Sequence, residues 1–250
     1  MSGWASTPIY YVAMGFLCGV VGFRLGWRLP GRVALPLLQG TFGFFAFAAS
    51  WRVVGPHRAA LAELGWVLGT TVVALYVFRA EPAHVDERVW RAATYRREML
   101  RWLRSGHGPE SRPSATVVRH LAELAIYLAA ALVSGNLLAL MLGAVLLNYM
   151  NAYVARLLSV AKNGWSVGAL AWNVWSIVRV AAYVALGVAA TAPLAARWGY
   201  PALPGAVDPY WIAGGIGVLL DLLLKLSLSK VCGRRLRAAL DWDRLATEDG

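Results

Sequence analysis

The sequence is poor in charged residues, in acidic residues and in cysteine. Charged residues make up only 15% of its 250 positions, while hydrophobic residues make up 59%. A soluble globular domain is about 25% charged and about 45–50% apolar, so this composition argues against a soluble domain. A network of disulfides is also excluded as the source of stability, because Cys18 lies inside an apolar run and Cys232 lies just past the last one.

Motifs for catalysis and metal binding are missing as well. The chain contains no His-Glu-x-x-His zinc motif, no Gly-x-Ser-x-Gly nucleophile motif, no phosphate-binding Gly-x-x-x-x-Gly-Lys motif and no cysteine cluster. Three of the four histidines fall in predicted connections, which leaves no facing pair for a haem. We therefore expect no metal and no cofactor, and the sequence leans away from an enzyme without excluding one.

What the sequence does contain is a series of seven apolar runs. Most reach the length of about 17–25 residues that spans a bilayer as an α-helix, and none alternates as the strands of a membrane barrel do. The runs predict an all-α, polytopic membrane helical bundle of about seven transmembrane helices, with six crossings as the alternative. The predicted runs are Tyr10–Phe23, Val33–Trp51, Ala59–Phe78, Val117–Val133, Asn136–Leu158, Trp165–Leu194 and Tyr210–Val231.

The 24 basic residues are divided unequally between the connections. The odd-numbered connections hold 19 of them and the even-numbered ones hold three, while Arg179 and Lys225 lie inside predicted helices. Because connections rich in Lys and Arg stay in the cytoplasm, this bias predicts an inner-membrane protein with its N-terminus outside and its C-terminus in the cytoplasm. The net charge of +11 then reflects membrane topology, and we expect no nucleic acid as a partner.

The same pattern divides the chain into four segments. Residues 1–78 contain the first three spans, and residues 79–116 form an arginine-rich cytoplasmic loop. Residues 117–232 contain the last four spans with most of the intramembrane polar residues, and residues 233–250 form a short cytoplasmic tail. We therefore expect a polar interior between the last four helices.

Within the loop, residues 85–104 have the pattern of one amphipathic helix. Apolar side chains recur at helical spacing, and Trp90 and Trp102 are expected to anchor the helix at the membrane surface. Such a helix lies in the interface and is attracted to anionic lipid headgroups; docking of a partner is the alternative. The arginines expected at the headgroups are Arg88, Arg91, Arg96, Arg97, Arg101 and Arg104.

Glycines in the first run predict close helix packing. Steps of four, three and four residues place them on one helical face, where another backbone can approach closely. The sequence leaves open whether that neighbour belongs to the same chain or to another subunit. The glycines are Gly15, Gly19, Gly22 and Gly26, and the third run repeats the spacing at Gly65 and Gly69.

Polar residues inside the predicted spans are the candidates for a functional site, because ionisable groups in hydrocarbon usually line a cavity or pair with each other. Asp221 and Lys225 lie four residues apart and can form an ion pair on one helical face. Two interpretations stay open, a self-neutralised structural pair or a proton or ion site. The candidate binding or ion-pathway residues are His120, Glu123, Asn148, Asn151, Asn173, Arg179, Asp221 and Lys225.

The last run also resembles the last helix of microbial rhodopsins, since Asp221 precedes Lys225 by four residues and two arginines follow nine residues later. The resemblance implies that Lys225 would carry retinal as a Schiff base and that Asp221 would belong to its counter-ion. Trp66 and Trp175 are similar to residues of the retinal pocket. The sequence departs from that family at Gly65, where the family has a carboxylate, and in the long loop after the third run.

Three hypotheses for function follow. The first is a transporter or channel, or a membrane subunit of a transport complex, that uses the intramembrane polar cluster. The second is a membrane anchor or scaffold, whose glycine face and arginine-rich loop bind partner subunits or a second copy of the chain. The third is a retinal-binding protein, the only hypothesis that needs a cofactor. All three place the chain in a bilayer with anionic headgroups.

Overall fold

A computed structural model of the protein describes residues 7–106, 113–201 and 207–244. These residues form α-helices and one short 3-10 turn, Pro82–His84, and contain no β-strand. The prediction of an all-α fold is confirmed. The helices are α1 (Pro8–Arg28), α2 (Ala34–Val54), α3 (Pro56–Ala80), α4 (Val85–Arg88), α5 (Ala92–Ser105), α6 (Pro113–Ser134), α7 (Leu137–Ser159), α8 (Gly164–Ala171), α9 (Val174–Arg197) and α10 (Asp208–Ala239).

Among the described residues, six helices are long and apolar enough to cross a membrane, namely α1, α3, α6, α7, α9 and α10. Helix α2 is as long as α1, at 21 residues. Its first turn packs on Gly26 and its last turn bonds to Pro201, so it also runs the length of the bundle. The chain is a multi-pass membrane helical bundle.

Contacts between connections define one end of this bundle, which we call the basic end. The Arg32 guanidinium donates to the backbone carbonyls of Asp86 (3.0 Å) and Glu87 (3.3 Å), joining the α1–α2 connection to the segment before α5. Ala161, after α7, pairs with Leu240, after α10. Helix α5 packs against both α7 and α10, so the odd-numbered connections meet at this end.

The even-numbered connections meet at the opposite end. The Trp51 indole donates to the Pro201 carbonyl at 3.2 Å, and His57 Nδ1 lies 2.7 Å from the Tyr210 hydroxyl. These contacts join the α2–α3 connection to the residues on either side of the α9–α10 connection. The separation of connections that the charge pattern indicated is therefore present in the packing.

The sixth apolar run is not one helix. The prediction of a single span over Trp165–Leu194 is wrong, because α8 ends at Ala171 and α9 begins at Val174. Asn173 sits at the break with a φ of 34°. Asparagine adopts positive φ more readily than most residues, which allows the chain to change direction here.

The arginine-rich segment also differs from the sequence prediction. It forms two helices, α4 and α5, separated by a bend at Arg91, which has a φ of 62°. The apolar face of α5 is buried against the bundle: Trp102 is only 5% exposed and packs on Gly233 of α10. The prediction of Trp102 as a membrane-surface anchor is wrong, because protein covers the apolar face; Trp90, at 52% exposed, remains available to lipid.

Four of the six arginines expected at lipid headgroups contact protein groups in the structure. Arg88 donates to the Trp27 carbonyl and lies over the Trp27 ring, while Arg96 donates two hydrogen bonds to Asp86, at 2.9 and 2.7 Å. Arg91 lies over the Tyr149 ring and Arg104 over the Trp242 ring. Arg91, Arg97, Arg101 and Arg104 are exposed. Arg88, Arg91 and Arg104 contact residues outside the segment, whereas the Arg96–Asp86 pair lies within it.

The glycine face of α1 packs inside the chain. A β-carbon added to Gly15 would lie 1.8 Å from the Ala62 carbonyl oxygen, and one added to Gly65 would lie 2.1 Å from the Val12 carbonyl oxygen. Such distances leave no room for a side chain, so α1 and α3 are in backbone contact. Gly19 also faces α3, whereas Gly22 and Gly26 face α2.

Candidate functional site

A cavity of about 580 Å³ lies inside the bundle. Side chains of α3, α5, α6, α7, α9 and α10 line it. Its volume falls in the range of about 300–1,000 Å³ that is typical of small-molecule sites. Of the residues singled out in the sequence, it brings together His120, Glu123, Arg179 and Lys225.

The mouth of the cavity lies at the basic end, between α5 and α6. Arg101 is exposed there, and the side chains of Arg119 and Glu98 are 35% and 33% exposed. Arg119 pairs with Glu123 at 3.1 Å and lies 4.0 Å from Glu98. The mouth is therefore formed by partly solvated ion pairs.

A buried charged cluster lies deeper, on α6, α9 and α10. The Arg179 guanidinium donates two hydrogen bonds to Asp221, at 2.8 and 2.9 Å, the forked geometry that suits a carboxylate best. His120 Nδ1 lies 4.0 Å from Asp221. Lys225, one turn further along α10, is 5% exposed and lines the cavity.

The cluster and mouth together carry an excess of positive charge. Four cationic side chains and three carboxylates lie in or beside this half of the cavity, and one of the cations, Arg101, is exposed to solvent. Cationic side chains around a cleft attract anions, so this half can bind an anionic group. The cations are Arg101, Arg119, Arg179 and Lys225, and the carboxylates are Glu98, Glu123 and Asp221.

The remaining walls of the cavity are mostly apolar. Trp66 and Val67 of α3 face Leu140 and Leu147 of α7, and Val184 of α9 completes this part. The cavity thus has a charged half toward the basic end and an apolar half toward the opposite end. An occupant that fits both halves has a charged group joined to an apolar body.

Glu63 closes the apolar half. Its two carboxylate oxygens accept hydrogen bonds from the Tyr127 hydroxyl (3.3 Å) and from Asn136 Nδ2 (2.9 Å). All three residues are at most 2% exposed. Because they belong to α3, to α6 and to the start of α7, their hydrogen bonds hold these helices together near the opposite end.

Sequence reasoning missed Glu63 as a site residue, because it assigned the polar interior to the last four spans. Glu63 lies seven residues after Pro56, about 10 Å into α3 at 1.5 Å per residue. Its position as the lone carboxylate of an apolar run was the available signal. Its partners, 64 and 73 residues away, could not be found from helical spacing.

The candidate asparagines lie outside the cavity lining. Asn148 exchanges two hydrogen bonds with Gln39, at 2.6 and 3.2 Å, and so fastens α7 to α2. Asn151 is fully buried, and within the described part of the chain its amide makes no hydrogen bond. Asn173 forms the break between α8 and α9.

Some of the residues on which the rhodopsin resemblance rests lie at the cavity. Lys225 and Trp66 line the cavity, and Trp175 is buried beside it. Asp221, the implied counter-ion, gives both its oxygens to Arg179. Within the described ranges, no three His, Cys, Asp or Glu side chains are arranged to hold a metal ion.

Comparison of the chain with known protein families, with curated proteins and with solved structures finds no match. The site must therefore be interpreted from its own geometry. That geometry provides a membrane-embedded cavity with a cationic half, an apolar half and a buried carboxyl group at the closed end.

Proposed function

We propose that this multi-pass membrane protein is a transporter of anionic solutes that carry an apolar part. The cavity inside the membrane-spanning bundle supports this proposal, since its charged half contains Lys225 and Arg179 and its other half is apolar. The charged group of the solute would lie beside Lys225. Its apolar part would lie against Trp66 and Leu140.

The energetics of burial favour such an occupant. Asp221 forms an ion pair with Arg179, and Glu123 forms one with Arg119, so these carboxylates already have cationic partners. A solute anion beside Lys225 would be attracted by the cationic side chains that line this half of the cavity. The apolar walls would add about 25 cal/mol for each Å² of solute surface removed from water.

We further propose that the basic end faces the cytoplasm of the cell and that the protein resides in the inner membrane. The 19 basic residues of the odd-numbered connections, against three in the even-numbered ones, support this orientation. The mouth between α5 and α6 would then open to the cytoplasm. The hydrogen bonds of Glu63 would close the cavity toward the outside.

The experiment uses octanoate as the probe, because it joins a carboxylate to a seven-carbon alkyl chain, with octanol as the uncharged equivalent. In lipid nanodiscs, we expect octanoate to raise the Tm of the wild-type protein and octanol to leave it unchanged. Lys225→Met should weaken octanoate binding about tenfold or more, because a hydrogen bond to a charged group contributes about 1.5–3 kcal/mol.

Lys230→Met is the matched control, since Lys230 is an exposed lysine five residues further along α10. Its octanoate response should equal that of the wild type. An equal Tm rise with octanol, or an unchanged response in Lys225→Met, would show that the cavity does not select anions through Lys225.

A further inference from the structure

We propose that Glu63 is a proton-binding site and that loss of its proton opens the bundle at the opposite end. The role of this proton as the coupling ion of transport rests on the proposed function. The evidence for the proton-binding site itself comes from separate observations. These are the surroundings of Glu63, its place in the cavity and the helices it joins.

The first observation is that Glu63 lacks a cationic partner. Among the described residues, no Lys, Arg or His side chain pairs with it, and its two hydrogen-bond donors, Tyr127 and Asn136, are neutral. Asp221 is equally buried, at 2% exposed, yet Arg179 holds both its oxygens. Within one bundle, therefore, one buried carboxyl group is neutralised by protein and the other is not.

Without a cationic partner, the Glu63 carboxylate can be neutralised only by binding a proton. An isolated buried charge is far more costly than a neutral polar group, so such a group usually takes up a proton. The cavity connects Glu63 to the mouth at the basic end. A proton can therefore reach the carboxyl group from solvent without crossing packed side chains.

The side-chain amide of Asn136 can form a hydrogen bond with Glu63 in either protonation state of Glu63. With Glu63 ionised, Nδ2 donates to the carboxylate, as the structure shows at 2.9 Å. Asn136 Oδ1 is buried and accepts no hydrogen bond in the part of the chain that is described. Rotation of the amide by half a turn would place Oδ1 where it can accept the proton of the neutral acid.

Neighbouring helices bring no compensating charge to this place. Tyr183 of α9 stacks on Tyr127 with 4.9 Å between ring centres, and Gly187 of α9 lies beside Asn136. The two cationic or titratable groups that begin α3 are engaged elsewhere: His57 contacts Tyr210, and Arg58 lies over the ring of Tyr11 from α1. Other titratable residues on α2 and α7 are Arg52 at the opposite end and Tyr149, Tyr153 and Arg156 toward the basic end.

The consequence for the bundle follows from which helices Glu63 joins. As a neutral acid, it keeps α3 bonded to α6 and to the start of α7, and the opposite end stays closed. Without its proton, the carboxylate is stabilised by more contact with water than its 2% exposed position allows, and separation of these helices would provide that contact. Raising the pH should therefore shift the bundle toward an arrangement that is open at the opposite end.

The test compares wild type with Glu63→Gln in nanodiscs, because glutamine keeps the shape and can still bond to Tyr127 and Asn136 but cannot ionise. Infrared spectra recorded during a pH titration should show a carboxylic-acid carbonyl band that disappears as the pH rises. That band should be absent in Glu63→Gln and present in Glu98→Gln, the matched change at the solvated mouth. A band that titrates identically in Glu63→Gln would overturn the proposal.

A second measurement reports on opening. Ala190→Cys, in a chain with Cys18→Ser and Cys232→Ser, places a thiol among the buried neighbours of Tyr127. The rate at which a polar thiol reagent labels this cysteine should rise with pH. The rate is divided by that of an unfolded cysteine peptide at the same pH, because ionisation alone makes every thiol more reactive. The rise should be lost in Glu63→Gln. Labelling that rises equally in both chains would contradict a role for Glu63 in opening.

These outcomes are separable from those of the proposed function. Octanoate binding tests the charged half of the cavity, whereas the infrared band tests Glu63 without any solute. If octanoate fails to bind but the band is lost in Glu63→Gln, the proton site remains and the choice of solute is wrong. If octanoate binds to both chains and the band does not change, the solute proposal remains and the proton site is wrong.

Discussion

At the scale of single residues, the two deeply buried carboxyl groups in the described part of the chain have different partners. Asp221 accepts two hydrogen bonds from the charged guanidinium of Arg179, whereas Glu63 accepts hydrogen bonds only from neutral donors. A matched pair cancels its charge and suits a structural role. An unmatched carboxyl group can change its charge, which suits a role in which protons move.

This contrast predicts a large structural effect of Asp221→Asn. The change leaves Arg179, whose side chain is 21% exposed, without its carboxylate, and the cost of about 3–5 kcal/mol for breaking a fully buried ion pair sets the upper limit. We expect a lower Tm and a lower yield of folded protein in mild detergent. The double variant Asp221→Leu with Arg179→Leu should recover much of the loss, because no unpaired charge remains.

The pair of Asp86 and Arg96 is a suitable control, since it has the same two-bond geometry at a more exposed place, with side chains 40% and 23% exposed. Asp86→Asn should cost about 1 kcal/mol or less, because solvent screens partly exposed pairs. If Asp221→Asn is as mild as Asp86→Asn, the buried pair does not hold α9 to α10 as we infer.

The residue scale also shows what sequence could predict of the site. The presence of polar side chains inside predicted spans identified His120, Glu123, Arg179 and Lys225, all of which line the cavity. Helical spacing showed that Asp221 can pair with Lys225, whereas the structure gives both oxygens of Asp221 to a guanidinium 42 residues away. Pairing across helices depends on tertiary packing, which spacing within one helix does not contain.

At the scale of helices, small residues set the closest contacts. Gly15 and Gly65 allow the backbones of α1 and α3 to touch, so the first three helices form a compact unit beside the cavity. The same reasoning explains why the glycine pattern could be recognised in the sequence but its partner could not. The pattern marks a face, and only the fold shows which helix covers it.

Gly15→Ala tests this contact. The added methyl group would lie 1.8 Å from the Ala62 carbonyl oxygen, so the helices must separate, at a cost of about 1–3 kcal/mol. Gly215→Ala on α10 is the control, because nothing lies within 4 Å of the added carbon. We expect a lower Tm for Gly15→Ala and an unchanged or higher Tm for Gly215→Ala; equal values would contradict tight packing of α1 on α3.

Two elements differ from their sequence predictions for identifiable reasons. The sixth run is apolar throughout its length, and apolar content alone does not report the bend at Asn173. The segment containing α5 is amphipathic, and amphipathicity is equally compatible with a lipid surface and a protein surface. The fold resolves the second case, because Trp102 is buried against α10.

At the scale of the whole molecule, the basic residues and the cavity mouth lie at the same end. The class of the fold and the grouping of connections could be predicted, since both depend on hydrophobic runs and on charge counts along the chain. The cavity could not, because it is the space left between six helices contributed by distant parts of the chain. Its position makes the orientation of the bundle important for function.

The proposed orientation predicts the behaviour of C-terminal fusions. A green fluorescent protein fused after residue 250 should be fluorescent, and an alkaline phosphatase fused at the same position should be inactive, because the first matures in the cytoplasm and the second does not. Fusions of the same two reporters after Gly55, in an even-numbered connection, serve as the comparison and should give the reverse result. Identical results at both positions would contradict the odd number of crossings that this orientation requires between Gly55 and the C-terminus.

The most direct test of the central claim, that the bundle contains a water-filled anion site open at the basic end, is the labelling of Ser176→Cys in a chain with Cys18→Ser and Cys232→Ser. Ser176 lines the cavity, whereas its neighbour Ile177 is 55% exposed on the outer surface of the bundle and provides the control. In inside-out membrane vesicles, we expect a membrane-impermeant thiol reagent to label Ser176→Cys, octanoate to slow that labelling, and Ile177→Cys to remain unlabelled in lipid. Absence of labelling at Ser176→Cys, or labelling that octanoate does not slow, would contradict the claim.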